Sequence, residues 1–300
     1  MAEHDSEETA AQDEYNAAPA QGELDGVKRA EWSFAGSQGR IHAQSWSGEY
    51  EPSHVLVLVH GYGEHIGRYD HVAAALIEEG AVVYGLDHMG HGKSEGDRAI
   101  LSDVDDVVAD VDHIVDVADA AEPTIPLIMI GHSMGGLIAT RYAQTHGDKL
   151  AALVLSGPAI GRADGLEALL GLDEIPDVPL DPTVLSRDAA VGEAYVADPL
   201  VWHGPFQRPM LEAMLRANHA VNEAGSIGDL PLLWVHGADD QLVPLENSQA
   251  GFDIISGSNE GDAGQAKAIA YPGAKHEIFN ETNRTEVLAD VTDFIEAVVE

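Results

Sequence analysis

Pro126-Leu127-Ile128-Met129-Ile130-Gly131-His132-Ser133-Met134-Gly135-Gly136-Leu137 decides how this chain is read. The apolar run that ends at Ile130 predicts a buried strand, and the segment from Met134 to about His146 predicts a helix. Between them stands the pattern G-x-S-x-G. Strand, sharp turn and helix, in that order, form the context of an elbow that presents a nucleophile. Such a turn forces its serine into strained backbone angles. The flanking positions must then be almost without side chain, and glycine is the residue that fits. The hydroxyl stands clear of the sheet at a helix N-terminus, where main-chain N–H groups and the helix dipole favour negative charge.

The alternation continues on both sides of this elbow. Val55 to Val59 and Ala81 to Leu86 read as strands buried on both faces, and Tyr69 to Glu79 between them has helical spacing. Ser102 to Ala120 reads as a helix, with Ser102 as its N-cap and Val104, Val107, Val108, Val111, Ile114 and Val115 as its apolar stripe. Ala151 to Leu155, Leu232 to Val235 and Ala268 to Tyr271 complete the strands, and a last helix runs from about Asn283 to Val299. Ahead of them, Glu31 to Ala35 and Ile41 to Trp46 flank a Gly-Ser-Gln-Gly turn and predict a hairpin. Strands separated by helices imply right-handed crossovers, so the fold class is α/β with a mostly parallel, doubly wound sheet.

Two segments break the rhythm. Residues 1–26 are acidic and almost without large apolar groups, and are expected to be a disordered tail. Residues 158–229 hold seven prolines and short amphipathic helical pieces but no convincing buried strand. That is too long for a plain loop, and it reads as a helical cap inserted over the carboxyl edge of the sheet. The core domain is then 27–157 together with 230–300.

Composition narrows the function. There are 52 Asp and Glu against 15 Lys and Arg, a formal net charge of −37, which repels nucleic acid and anionic membranes. Only eight of the acids precede Lys28, so the acidity is global, and it reads as adaptation to high salt, where self-repulsion is screened. With no cysteine, thiolate catalysis and disulfides are excluded. No run of 18 apolar residues predicts a membrane span, no secretory signal pattern is visible, and the expected location is cytoplasmic.

A serine hydroxyl needs a base, and the base needs a third group to fix its tautomer. Both partners of Ser133 are expected just beyond strands. The strand 232–235 leads into His236-Gly237-Ala238-Asp239-Asp240, which offers two candidate acids, and the strand 268–271 leads into Pro272-Gly273-Ala274-Lys275-His276. The oxyanion donors are expected to be the N–H of Met134 and, from the turn after strand 55–59, the N–H of Tyr62.

His60-Gly61-Tyr62-Gly63-Glu64-His65, Asp87-His88-Met89-Gly90-His91-Gly92-Lys93-Ser94-Glu95-Gly96 and Gly131 to Gly136 in combination resemble the monoacylglycerol lipase and lysophospholipase branch of the α/β-hydrolases. Ala197-Asp198-Pro199-Leu200 and His276 to Glu281 also match, so the resemblance spans about residue 30 to the C-terminus. It implies Ser133 as nucleophile, His276 as base and Asp240, rather than Asp239, as the acid. It implies hydrolysis of a single-chain acyl ester through an acyl-enzyme, with no metal or organic cofactor. An aminopeptidase, a thioesterase or a carbon–carbon hydrolase uses the same fold, and a non-enzymatic binding protein is the remaining alternative.

Substrate contacts are expected from Glu64, His65, Leu169, Trp202 and Phe206, with Met210 and Met214 lining the same pocket. For Glu64 and His65 a purely structural role is the competing reading. Leu166, Leu169, Leu170, Leu172 and Ile175 either pack the cap on the core or form an acyl-chain entrance that touches lipid transiently. His60, His65, His88, His91 and His132 are read as hydrogen-bonding groups that stiffen loops rather than as metal ligands. Asp87 and Ser94 are read as turn-holding groups.

Overall fold

The computed structural model describes residues 20–24, 26–257 and 265–299. Its strands are Ala20–Leu24 (β1), Val27–Ala35 (β2), Arg40–Ser47 (β3), His54–Val59 (β4), Ala81–Leu86 (β5), Leu127–His132 (β6), Ala152–Ser156 (β7), Leu232–Gly237 (β8) and Ala266–Tyr271 (β9). They form one sheet in the order β1-β2-β3-β5-β4-β6-β7-β8-β9. The six strands from β5 to β9 pair in parallel, and β1 to β3 join antiparallel at one edge. Every residue of β4, β5, β6, β7 and β8 is buried, as an unbroken apolar run between two helical layers demands.

The helices are Asp70–Glu78 (α1), Val104–Ala121 (α2), Met134–His146 (α3), Asp164–Leu170 (α4), Ala189–Ala197 (α5), Arg208–Ala224 (α6), Leu245–Ile255 (α7) and Arg284–Val299 (α8). Val72 and Leu76 of α1 share one core with Val287, Val291 and Ile295 of α8. Val107 and Val111 of α2, Leu137 and Ile138 of α3, Met210 of α6 and Phe252 of α7 share the core on the other face. The sheet is therefore wound on both sides.

Three details differ from the sequence reading. Residues 1–19 of the expected disordered tail lie outside the described residues, but Ala20–Leu24 form a strand in register with Val27 to Glu31. An open edge of β2 offers main-chain hydrogen bonds that apolar content does not report. Asp103, not Ser102, caps α2: its carboxylate accepts from the Asp105 N–H, and Ser102 instead offers its carbonyl to Arg216. Helix α6, inside the expected cap segment 158–229, packs Met210 and Val221 into the core that α2 and α3 share. Helix α4 buries no residue and α5 only Tyr195.

Candidate active site

Ser133 sits between β6 and α3 at φ 54° and ψ −119°, a strained conformation that only a sharp elbow imposes. Its neighbours show why glycine is required. A Cβ on Gly131 would lie 2.7 Å from Ala139 Cβ, and one on Gly135 would meet the Val59 carbonyl. The elbow is thus wedged between its own helix and β4.

The carboxyl ends of the strands deliver the rest. Asp240, past β8, and His276, past β9, meet at 2.7 Å between Oδ2 and Nδ1. The other carboxylate oxygen of Asp240 accepts the N–H groups of Leu242 and Val243 at 2.8 and 3.0 Å. Asp239, the alternative acid, is exposed. Burial alone would raise the Asp240 carboxyl, but the His276 charge and bonds from His236 and His276 hold it well below the usual carboxylate range. Burial likewise depresses the His276 imidazole, and the Asp240 carboxylate outweighs that, so the net direction is upward from 6.5. With Nδ1 donating to Asp240, the other ring nitrogen keeps a lone pair.

Ser133 and His276 open onto one cavity of about 460 Å³. No hydrogen bond joins them among the described residues; such bonds commonly close only when substrate is present. Leu166, Leu169, Leu180, Phe206, Met214 and Leu242 make much of the wall apolar. Its polar lining includes Glu64, Arg68 and Glu277 together with Arg162, Asp164, Asn218, Glu246 and Asn247. Arg68 donates to Glu64 at 2.7 Å and to both oxygens of Glu277 at 2.7 and 2.8 Å, while Glu64 also accepts from the Gly61 N–H and the Tyr69 hydroxyl. Burial alone would raise the Glu277 carboxyl; the Arg68 guanidinium overrides it and brings it to about 2. Beside His276, the His132 ring is pushed down to about 4 by burial and by the His276 charge, and it donates from Nδ1 to the Ser156 carbonyl.

The family model described as "Serine aminopeptidase, S33" matches residues 50–283. The chain belongs to that family. It is 39% identical over 277 residues to the monoacylglycerol lipase of Mycolicibacterium smegmatis, covering 89% of this chain and 97% of the relative. The crystal structure of Paleococcus ferrophilus monoacylglycerol lipase superimposes with a TM-score of 0.70 at 27% identity, over 86% of this chain and 98% of that one. A thermostable carboxyl esterase from Bacillus coagulans, solved with glycerol, gives 0.76 at 25% identity over 91% and 99%. The chain is an α/β-hydrolase of the monoacylglycerol lipase branch and a serine ester hydrolase.

Set on this family's fold, the residues expected at the site divide. Ser133, Met134, Tyr62, Asp240 and His276 come together at one sheet edge, and Glu64, Leu169, Phe206 and Met214 line the cavity or its mouth. His65 does not line it: its Nε2 pairs with Asp198 Oδ2 at 2.8 Å, tying the loop after β4 to the segment after α5. Trp202 lies behind that loop, where its main-chain N–H donates to Gly63 O at 2.7 Å and its indole to Pro205 O at 2.9 Å. Met210 is buried in the core, and Leu172 is exposed rather than packed.

Asp87 accepts the N–H groups of Ile66 and Lys93, and Ser94 donates to the Asp87 carbonyl, so both hold turns. Arg68 and Gly157 escaped the sequence reading. The Glu64-to-Arg68 spacing of four was the available signal for the first, while the second shows only in three dimensions.

Proposed function

We propose that the protein hydrolyses monoacylglycerols, with Ser133 as nucleophile, His276 as general base and acid, and Asp240 holding the imidazole in the Nδ1–H tautomer. His276 removes the Ser133 proton as Oγ attacks the ester carbonyl. The N–H groups of Tyr62 and Met134 receive the oxyanion; neither meets a protein acceptor among the described residues. His276 then protonates the leaving alkoxide, and a water activated by the same imidazole releases the fatty acid. The single observation that carries this reading is the buried His276–Asp240 pair opening, with the strained Ser133, onto one largely apolar cavity.

The polar wall favours an uncharged alcohol. The charged lining, Arg68 and Arg162 against Glu64, Asp164, Glu246 and Glu277, is net negative, so it offers acceptors to hydroxyls and disfavours a phosphate. That argues for monoacylglycerol over lysophospholipid. It also argues against an aminopeptidase, since the Arg68 cation already balances part of the Glu64 and Glu277 charge that would hold a substrate ammonium. Asp164 and Glu246 remain at the mouth, and both are exposed. Leu166 and Leu169 on α4 line the cavity, which supports the cap segment as the acyl entrance and its point of transient lipid contact. Among the described residues no helix is long and apolar enough to cross a membrane.

The test is release of fatty acid from monoacylglycerol and lysophospholipid, and of aniline from an aminoacyl anilide, each at molar KCl, by the protein and by Ser133→Ala. Monoacylglycerol turnover that vanishes in Ser133→Ala is expected. Full activity in that variant, or preference for the anilide, contradicts the proposal.

A further inference from the structure

The Gly61–Tyr62 peptide has two faces, and a buried histidine holds one of them. His60 Nδ1 lies 2.8 Å from the Gly61 carbonyl oxygen, and the His88 main-chain N–H lies 3.0 Å from His60 Nε2. A carbonyl oxygen only accepts and a main-chain N–H only donates. Both bonds together admit one tautomer of His60, with its proton on Nδ1 and a lone pair on Nε2. The ring is fully buried and packs against the His88 ring, tilted by 35° with centroids 4.0 Å apart. His88 closes the loop by donating from Nε2 to the His60 carbonyl at 3.0 Å.

A trans peptide is planar, and its C=O and N–H point in opposite directions. Holding the Gly61 oxygen against the His60 ring therefore aims the N–H of Tyr62 the other way, away from the imidazole. The peptide before it is pinned as well, because Glu64 accepts the Gly61 N–H at 2.7 Å. Gly61 has no side chain to add leverage, since a Cβ there would come within 3.2 Å of Ser133 Cβ. The direction of the Tyr62 N–H is set from behind, by the ring. A hydrogen bond to the carbonyl also polarises the amide and strengthens its N–H as a donor.

We propose that His60 is a positioning residue, whose Nδ1–H, fixed by the His88 main-chain N–H, aims and polarises the Tyr62 N–H as an oxyanion donor. The proposal rests on the assignment of Ser133 as nucleophile and Tyr62 N–H as donor. It needs His60 as a donor at one atom, and that separates it from a packing role.

His60→Leu keeps apolar volume and removes the donor; His60→Asn keeps an N–H near the position of Nδ1. Steady-state kinetics on a monoacylglycerol are expected to show kcat lowered about ten- to hundred-fold in His60→Leu, the lower side of what losing an oxyanion donor outright costs. KM is expected to stay within about two-fold, because the interaction forms in the transition state. His60→Asn is expected to recover most of the loss. Equal losses in both variants, an unchanged kcat in His60→Leu, or a change confined to KM would overturn the proposal.

Histidine 15N chemical shifts of the unsubstituted protein give a readout that survives if His60→Leu fails to fold. A protonated Nδ1 and a bare Nε2 at His60 are expected, and a proton on Nε2 would sink the idea. Fluorophosphonate labelling that is absent at Ser133 would instead overturn the site assignment, leaving the tautomer result to stand by itself.

Discussion

Arg68 and Glu277, 209 residues apart, meet through two parallel hydrogen bonds of 2.7 and 2.8 Å on the wall of the cavity that holds Ser133. The same guanidinium reaches Glu64 and lies 5.3 Å from the centre of the Tyr195 ring. One cation thus joins the loop after β4, the residue next to His276 and helix α5. Both carboxylates are buried, so their charge is tolerable only while Arg68 is present.

Arg68→Met leaves two buried carboxylates facing each other without a cation. We expect a loss of about 3–5 kcal/mol of stability at neutral pH. Glu277, held at about 2 in the folded chain against 4.5 ordinarily, contributes stability above 4.5 that disappears as pH falls through 2. Without Arg68 its folded value moves up, and a protonated carboxyl needs no partner, so the deficit shrinks on acidification. Urea midpoints of both proteins at neutral and mildly acidic pH check this. A deficit below about 1 kcal/mol, the scale of an exposed pair, contradicts it.

Catalysis requires neutral His276, whose imidazole lies above 6.5. The rate kcat/KM is therefore expected to rise with pH through a midpoint above that value. Asp240→Asn removes the carboxylate that favours the proton, so the acid limb moves to lower pH. The plateau falls by about 10⁴, because the wrong tautomer then prevails. A pH profile that keeps its midpoint in Asp240→Asn would mean that Asp240 does not act on His276.

These relationships were legible in the sequence to different depths. The Ser133 elbow is written locally: strand, two glycines and helix lie within one short stretch. His276 and Asp240 are readable because a parallel sheet brings every strand's carboxyl end to one edge, so a residue just past a strand is near the site wherever it lies in the chain. The partner of Arg68 was not readable, since nothing local couples residue 68 to residue 277. Trp202 and His65 misled for a related reason. Aromatic and imidazole groups near the site also fit behind the wall, where main-chain bonds to Gly63 and the carboxylate of Asp198 take them. Likewise Met210 and Met214 are one helical turn apart on α6, yet the first is wholly in the core and the second reaches the cavity.

Gly157, at φ +52° just past β7, packs against the base and its acid. A Cβ there would lie 3.2 Å from the His276 carbonyl, 3.6 Å from its Nδ1 and 3.7 Å from Asp240 Oδ2. Gly157→Ala is expected to cost about 1–3 kcal/mol from backbone strain and to lower kcat by displacing the His276–Asp240 pair. Gly147, after α3 at φ −60°, is the control, as it is not among the cavity's lining residues and a Cβ there meets nothing within 4 Å. Melting temperatures and kcat of the two variants decide the matter. Equal behaviour would show that the Gly157 backbone relaxes freely.

The acidity predicts the response to salt. Helix α2 and its N-cap expose Asp103, Asp105, Asp116 and Asp119, answered by Arg141 on Asp105 and by Lys149 on Asp112 and Asp116. With a net charge of −37, repulsion outweighs these pairs. Raising ionic strength from about 0.1 M to 1 M shortens the Debye length from about 10 Å to 3 Å, which screens repulsion across the surface while buried pairs such as Arg68–Glu277 are screened much less. The melting temperature is expected to climb steadily with KCl. The double variant Asp119→Asn and Glu212→Gln, both exposed sites, removes two charges without touching an ion pair. It should raise the melting temperature at low salt more than at high salt. A curve indifferent to KCl, or a variant whose gain is the same at both extremes, would mean that surface charge does not limit the stability of this fold.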